Sequence, residues 1–556
     1  MPPKRSGEGV LLCDRSGANG GWVTEGRQDV DVVIVGAGFA GLYMLHRVRE
    51  LGLTARVLEA GGDVGGTWYW NRYPGARCDV ESMQYSYQFS DELQQEWEWS
   101  ERYASQPEIL SYLNHVTDRF GLRPDIQFDT RVTDAVFDDA TRRWTVRTES
   151  GDALSAQFVI MATGCLSAAN TPDIAGASSF TGPTYHTGRW PHAKVDFTGQ
   201  RVGVIGTGSS AVQSIPVIAQ EARDLVVFQR TATYSVPAWN GPLDPSEQKE
   251  IKAHYAAFRA ANSQSFSAIG GTLPMSERQA LEVSAEERQA EYAARWKEGG
   301  LSFLGSFSDL LFDPKANDTA AGYVRERIRE IVRDPRTAEI LCPDQVIGCK
   351  RMCVDTEYYA TFNRQNVRLV DLRETPIEAV TPTGITTTAT HYELDAIIYA
   401  TGFDAMTGAL LRINICGRDG VSLREAWAAG PHSYLGLGVV GFPNLFTITG
   451  PGSPSVLTNM IVSIEQHVDW ISRCVAYLRQ NAYQCIEATE AAQSEWVEYV
   501  NAIAGVTLFP TCNSWYLGAN VPGKPRVFMP CPGFPPYAEQ CQQVADGGYV
   551  GFALSQ

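Results

Sequence analysis

The feature that most constrains this chain is a pair of glycine-rich turns, each set between a buried strand and a helix. The first, VDVVIVGAGFAG from Val30 to Gly41, passes from β-branched residues into Gly36, Gly38 and Gly41. It continues into LYMLHRVRELG, where Leu42, Leu45 and Val48 fall at helical spacing. A second strand, ARVLEA at 55–60, completes a βαβ unit of about 30 residues. The same unit recurs at 201–231 as RVGVIGTGSSA, an apolar helix through Val212, Ile215 and Ile218, and LVVFQRT. A chain carrying both units is expected to be α/β, with two Rossmann-like dinucleotide-binding domains.

Two similar strand-and-turn segments, FVIMATG at 158–164 and AIIYATGF at 396–403, bracket the second unit. They suggest that one domain is inserted within the other. Residues 1–29 are expected to be a mobile tail, 30–165 the first part of an FAD-binding domain, 166–394 an NADP-binding domain, and 395–556 the remainder of the FAD domain. Within the insert, 243–340 turns rich in Ala, Glu and Arg and reads as a helical elaboration. Ser284 and Glu287 form a capping box there, and a further helix is expected over Thr319–Arg333, stopped near Pro335. Apolar spacing predicts a core-facing helix over 460–480. The segment from Asn513 to the end is dense in Pro, Gly, Trp and Tyr, a composition suited to a loop covering a ligand.

With 556 residues, 44% hydrophobic and 20% charged, the chain can bury several cores and lacks the composition of a disordered protein. Its 46 basic and 63 acidic residues leave a net charge of −17, so nucleic acid and anionic membrane are repelled overall and an anionic ligand needs a local basic pocket. No run approaches the ~18 apolar residues of a membrane span. The 12 cysteines contain no CxxC pair, which favours reduced thiols and a cytoplasmic setting. No metal site is expected, because no second pair completes a zinc ligand set.

The first glycine motif can hold a pyrophosphate on backbone N–H groups and the helix dipole, and Glu59 at the end of the next strand can accept hydrogen bonds from a ribose. That motif alone does not decide between FAD and a nicotinamide cofactor. The second motif has Ala211 in place of the third Gly, and its second strand ends in Gln229, Arg230 and Thr231. An Arg where an acid would sit accommodates a 2′-phosphate, which favours NADPH over NADH. The economical arrangement is FAD in the first domain and NADPH in the second. A disulfide reductase would need a cysteine pair beside the flavin; Cys349 and Cys353, four apart, make only a weak case, and oxygen or an external acceptor remains.

The run GGTWYWNRYPGARCD from Gly65 to Asp79 resembles one fingerprint of the type I Baeyer–Villiger monooxygenases, and FTGPTYHTGRWP from Phe180 to Pro191 resembles the other. Segments 348–364, 400–408, 450–460 and 513–530 are most similar to the steroid and phenylacetone branch of that family. The resemblance covers the chain from about residue 30 onward. It implies insertion of one oxygen atom from O2 beside the carbonyl of a bulky steroid, aryl or large cyclic ketone, giving an ester or lactone. FAD and NADPH are the implied cofactors and a C4a-peroxyflavin the implied oxidant; the sequence leaves the oligomeric state open, and a monomer is plausible.

In this reading Arg351 is the catalytic cation and Asp79 the acid that orients it. FAD contacts fall on Gly36, Gly38, Gly41, Glu59, Gly66, Thr67, Trp68, Asp79, Tyr85, Val132 and Met460. NADP contacts fall on Thr207, Gly208, Ser209, Ser210, Gln213, Arg230, Thr231, Lys350, Arg351 and Trp515, the last on a mobile covering loop. Val456, Leu457 and Trp515 are implied to line the substrate pocket, and His186 to act as a hinge or linker residue. The alternatives are an N- or S-oxygenating flavin monooxygenase, an NADPH oxidase, and a non-catalytic dinucleotide sensor.

Overall fold

The computed structural model describes residues 28–271, 273–525 and 533–556. Strand Gln28–Val35 forms because its run of β-branched residues is covered on both faces. Val32 and Ile34 enter one apolar cluster with Leu42, Leu45 and Val48 of helix Phe39–Glu50. Val33 and Val35 enter another with Val159 and Met161. The strand starts earlier than expected: Gln28 and Asp29 already pair with Leu154 and Ser155. The rest of the expected tail, residues 1–27, lies outside the described residues.

Gln28–Val35 lies between Ala55–Leu58 and Ala153–Met161, parallel to both, in an eight-stranded sheet. A five-stranded, all-parallel sheet runs in the order Val367–Asp371, Asp224–Gln229, Arg201–Ile205, Ala396–Tyr399, Thr184–His186. The first sheet resumes at Asn414–Cys416 and Leu445–Thr447. The two ATG segments therefore belong to different sheets: 158–161 to the first and 396–399 to the second. Strand Ala396–Tyr399, expected to open the returning first domain, completes the second sheet instead, which extends that domain past the expected boundary at 394.

The helical elaboration comprises Pro245–Ala253, Tyr255–Ser263, Ala285–Glu298, Pro314–Ile331 and Pro335–Leu341. Ser284 and Glu287 make the expected capping box. The fourth helix begins earlier than expected, because Asp313 caps it. Pro335, expected as a stop, instead sits in the first turn of the next helix, where its missing N–H costs nothing.

The C-terminus departs from the expected covering loop. Residues Phe534–Asp546 are helical, and Phe552–Ser555 pairs antiparallel with Cys485–Ala488. This end packs on helix Met460–Gln480: buried Tyr537 donates its hydroxyl to the Leu435 carbonyl (2.6 Å) and meets His467 Nε2 at 2.7 Å. His467 Nδ1 accepts from the Thr449 N–H (2.9 Å), and burial pushes its imidazole down to about 3. Two residues earlier in the same helix, Glu465 accepts from the N–H groups of Gln88 (2.6 Å) and Phe89 (3.1 Å), and burial pushes its carboxyl up to about 8.

These groups impose opposite pH slopes on stability. The contribution of Glu465 is complete below its ordinary 4.5 and is lost as pH rises through about 8. That of His467 is complete above 6.5 and is lost as pH falls toward about 3. Thermal unfolding of Glu465→Gln should show a flatter alkaline limb and His467→Gln a flatter acid limb; an unchanged limb would refute that residue's role. Among the described residues, no helix is long and apolar enough to cross a membrane.

Candidate active site

The first glycine turn is built for close backbone approach. Gly36 has φ +106° and a Cβ there would lie 2.6 Å from the Ala162 carbonyl oxygen, while one at Gly41 would lie 1.8 Å from the Gly36 oxygen. Gly38 faces Gly66, which holds φ +52° at the head of the short helix Thr67–Trp70. Glu59 is buried and splits its carboxylate between the N–H groups of Ala37 and Gly61, each at 2.7 Å. It thereby stiffens the loop from the position where a ribose contact is expected of it. Trp68 is buried, and its indole N–H donates to the Tyr85 hydroxyl at 3.3 Å. Thr67 is exposed, and Met460 opens helix Met460–Gln480 behind an Asn459 cap. Val132 begins strand Val132–Asp138 and buries its side chain in the core cluster around Val33 and Val159.

The second turn offers open space: a Cβ on Gly208 would meet nothing within 4 Å. Thr207 donates its hydroxyl to the Thr231 carbonyl (2.9 Å), while Ser210 meets Thr187 (3.0 Å) and Ser209 meets the Cys353 thiol (3.3 Å). Gln213 turns away from that opening. Its amide oxygen accepts from the Tyr73 hydroxyl (2.8 Å) and its amide donates to the Arg77 carbonyl (3.0 Å), so it clamps the first fingerprint onto helix Ser209–Glu221. Arg230 is exposed, Lys350 half-buried, and neither forms an ion pair among the described residues. Burial and the neighbouring Arg230 hold the Lys350 ammonium below the usual lysine range. Uncompensated cations beside an open glycine turn fit a phosphorylated nucleotide, as the glycine cradle of the first domain fits a flavin dinucleotide.

Between the two turns, Arg351 Nε donates to Asp79 Oδ2 at 2.5 Å and its terminal nitrogen to Oδ1 at 3.1 Å, a two-pronged grip. The other terminal nitrogen donates to the Val456 carbonyl at 2.7 Å. Burial opposes the charge of Arg351, but Asp79 beside it more than restores it, so the guanidinium stays above its ordinary value. Val456, Leu457 and Trp515 fall in one apolar cluster with Cys165, Met406 and Leu517. Val456 thus has a second role beyond the wall expected of it, because its carbonyl fixes the cation.

Sequence reasoning passed over Tyr516. It is buried, stacks edge-on to Trp515 at 4.3 Å, and interacts electrostatically with Arg351 and Asp79. Its place directly after Trp515 was the available signal. A disulfide joins Cys349 to Cys512, contrary to the expectation of reduced thiols throughout. Their separation of 163 residues follows no framework that local spacing could reveal.

The fingerprints meet physically where Trp190 donates its N–H to the Trp70 carbonyl at 3.3 Å. His186 ends the edge strand Thr184–His186, and burial lowers its affinity for a proton. Its Nε2 lies 3.3 Å from both the Asn170 carbonyl and the Thr401 hydroxyl. Those partners sit on the two connections between the sheets, which bond to each other: Asn170 N–H to Gly402 carbonyl at 2.9 Å, Thr401 hydroxyl to Asn170 carbonyl at 2.6 Å.

Residues 33–273, which contain both glycine turns, match a family model described as pyridine nucleotide-disulphide oxidoreductase. A Baeyer–Villiger monooxygenase of Pseudooceanicola batsensis is 42% identical over 505 residues, covering 90% of this chain and 92% of that protein. A phenazine N-monooxygenase of Lysobacter antibioticus is 41% identical over 94% of this chain and 97% of its own length. The structure described as oxidized steroid monooxygenase bound to NADP is 56% identical, covers 95% of this chain and 100% of that one, and superposes with a TM-score of 0.91. On that identity and coverage, the chain belongs to the Baeyer–Villiger monooxygenases, which are FAD- and NADP-dependent oxidoreductases.

Proposed function

We propose that this protein inserts one oxygen atom beside the carbonyl of a bulky ketone of the steroid, aryl or large cyclic class, at the expense of NADPH. The observation that carries the reading is Arg351, gripped by Asp79 and Val456 at the edge of an apolar cluster. When bound, NADPH supplies the hydride and the flavin supplies activation of O2. The glycine turns at Gly36–Gly41 and Gly206–Ala211 hold the two pyrophosphates, and Arg230 with Lys350 selects the 2′-phosphate. Arg351 has five N–H groups, three of them committed to Asp79 and Val456, which leaves two to face negative charge as it develops on the ketone oxygen. Because those three bonds are already made, the cation needs little reorganisation as the reaction proceeds. Val456, Leu457 and Trp515 exclude water and favour a large apolar substrate.

The similarity to a phenazine N-monooxygenase supports N-oxygenation as the second reading. Presenting the purified enzyme with steroid, aryl, small cyclic and aromatic-amine substrates, with NADPH oxidation and product mass followed together, separates the two. Esters or lactones from the bulky ketones are expected. An N-oxide as the main product would overturn the reaction class, and equal turnover of small and bulky ketones would overturn the substrate class.

A further inference from the structure

We propose that the Cys349–Cys512 disulfide is a dithiol-reducible site that fixes where the Trp515 loop seats over the active site. Cys349 directly precedes Lys350 and Arg351, and Cys512 lies three residues before Trp515. One covalent bond therefore joins the segment bearing Lys350 and Arg351 to the segment bearing Trp515. Both cysteines are buried in the apolar cluster that also holds Val456 and Tyr516.

Among the described residues, the loop is further fastened by hydrogen bonds and an ion pair. Asn520 donates to the Phe403 carbonyl (2.7 Å), and Lys524 donates to Asp404 Oδ1 (2.5 Å) and to the Ala405 carbonyl (2.7 Å). With the disulfide intact, residues 513–525 can shift while the near end stays beside Arg351. Without it, the near end beside Cys512 is released as well, and the effective concentration of Trp515 at the site falls.

A thiolate of the reductant attacks one sulfur, the S–S bond breaks, and a mixed disulfide forms. The reductant's second thiol resolves it. The protein gains two electrons and two protons as two cysteine thiols, and the dithiol leaves as its own disulfide. Cys165 and Cys353, nearby free thiols, are poor competitors because burial raises both well away from the thiolate form. The buried sulfurs become accessible only when the loop lifts. A nucleotide that holds the loop down should therefore slow their reduction, and the loosened loop of the reduced enzyme should release NADP+ faster.

This inference rests on the proposed reading for the nucleotide, but its chemistry is measured separately. Full-length holoenzyme equilibrated in air is alkylated under denaturing conditions, before and after dithiothreitol, and its peptides are weighed. Cys349 and Cys512 should appear linked and unalkylated at first, then both alkylated, with NADP+ slowing the change. NADP+ dissociation from the reduced enzyme should be about tenfold faster, and more of the NADPH oxidised should end as hydrogen peroxide. Cys349→Ser and Cys512→Ser, with Cys512→Ala as a second replacement, should match the reduced enzyme in NADP+ release and peroxide leakage, and dithiothreitol should not raise either further. Alkylation of both cysteines without reductant would overturn the proposal, as would NADP+ release and peroxide leakage that are the same in the oxidised and reduced enzymes. Thiol masses and NADP+ release can be read even if no ester forms, so failure of the oxygenation reading is distinguishable from failure of this one.

Discussion

Arg351→Ala should lower ester formation by roughly 10²–10³-fold, the scale of losing a preorganised donor to developing negative charge. The reason is geometric. Asp79 and Val456 together occupy three donors of this guanidinium, so its position is set before substrate arrives. Removing it also leaves the Asp79 carboxylate half-buried without its cation, which adds an adverse charge at the same place. Flavin reduction by NADPH, followed anaerobically from the loss of yellow absorbance, should persist, because the glycine turns lie elsewhere. Arg351→Lys should rescue only partly, since an ammonium cannot reproduce the two-pronged grip. Normal ester yield from Arg351→Ala would refute the assigned role.

The second large effect is expected at the nucleotide's 2′-phosphate. A charge-assisted hydrogen bond contributes about 1.5–3 kcal/mol, equivalent to about 10- to 100-fold in affinity. Lys350→Ala should approach the upper part of that range because its ammonium is half-buried. Arg230→Ala should fall near the lower part because solvent screens an exposed side chain. In both variants the KM for NADPH should rise while that for NADH stays nearly constant. A parallel rise in both would place these cations on some other part of the nucleotide.

Much of this was legible because it is written locally. Glycines between a buried strand and a helix, a Ser–Glu capping box, and helix Met460–Gln480 all depend on neighbours in sequence. What escaped was long-range or ambiguous. Strand Ala396–Tyr399 is as apolar as Ala153–Met161, and parallel strands buried on both faces carry no local mark of which sheet they join. The C-terminal helix hid behind the prolines at its start and its aromatic content, both of which resemble a loop. Gln213 sits where a nucleotide contact is expected, yet its partner is a loop 136 residues away in sequence. The Cys349–Cys512 pairing escaped for the same reason.

The bonded connections beside His186 constrain motion between the domains. Two separate tethers would permit sliding and twisting, but these are stitched together at Asn170, Thr401 and Gly402. They form one axle. It resists parting and shear where the chain crosses between the sheets, and the Gln213 clamp and the Trp190–Trp70 bond hold the same two domains together beside it. Because Asn520 donates to Phe403 and its carbonyl accepts from Asn170, the covering loop is anchored on the axle itself. A displacement of that axle would therefore be passed to Trp515 through Asn520.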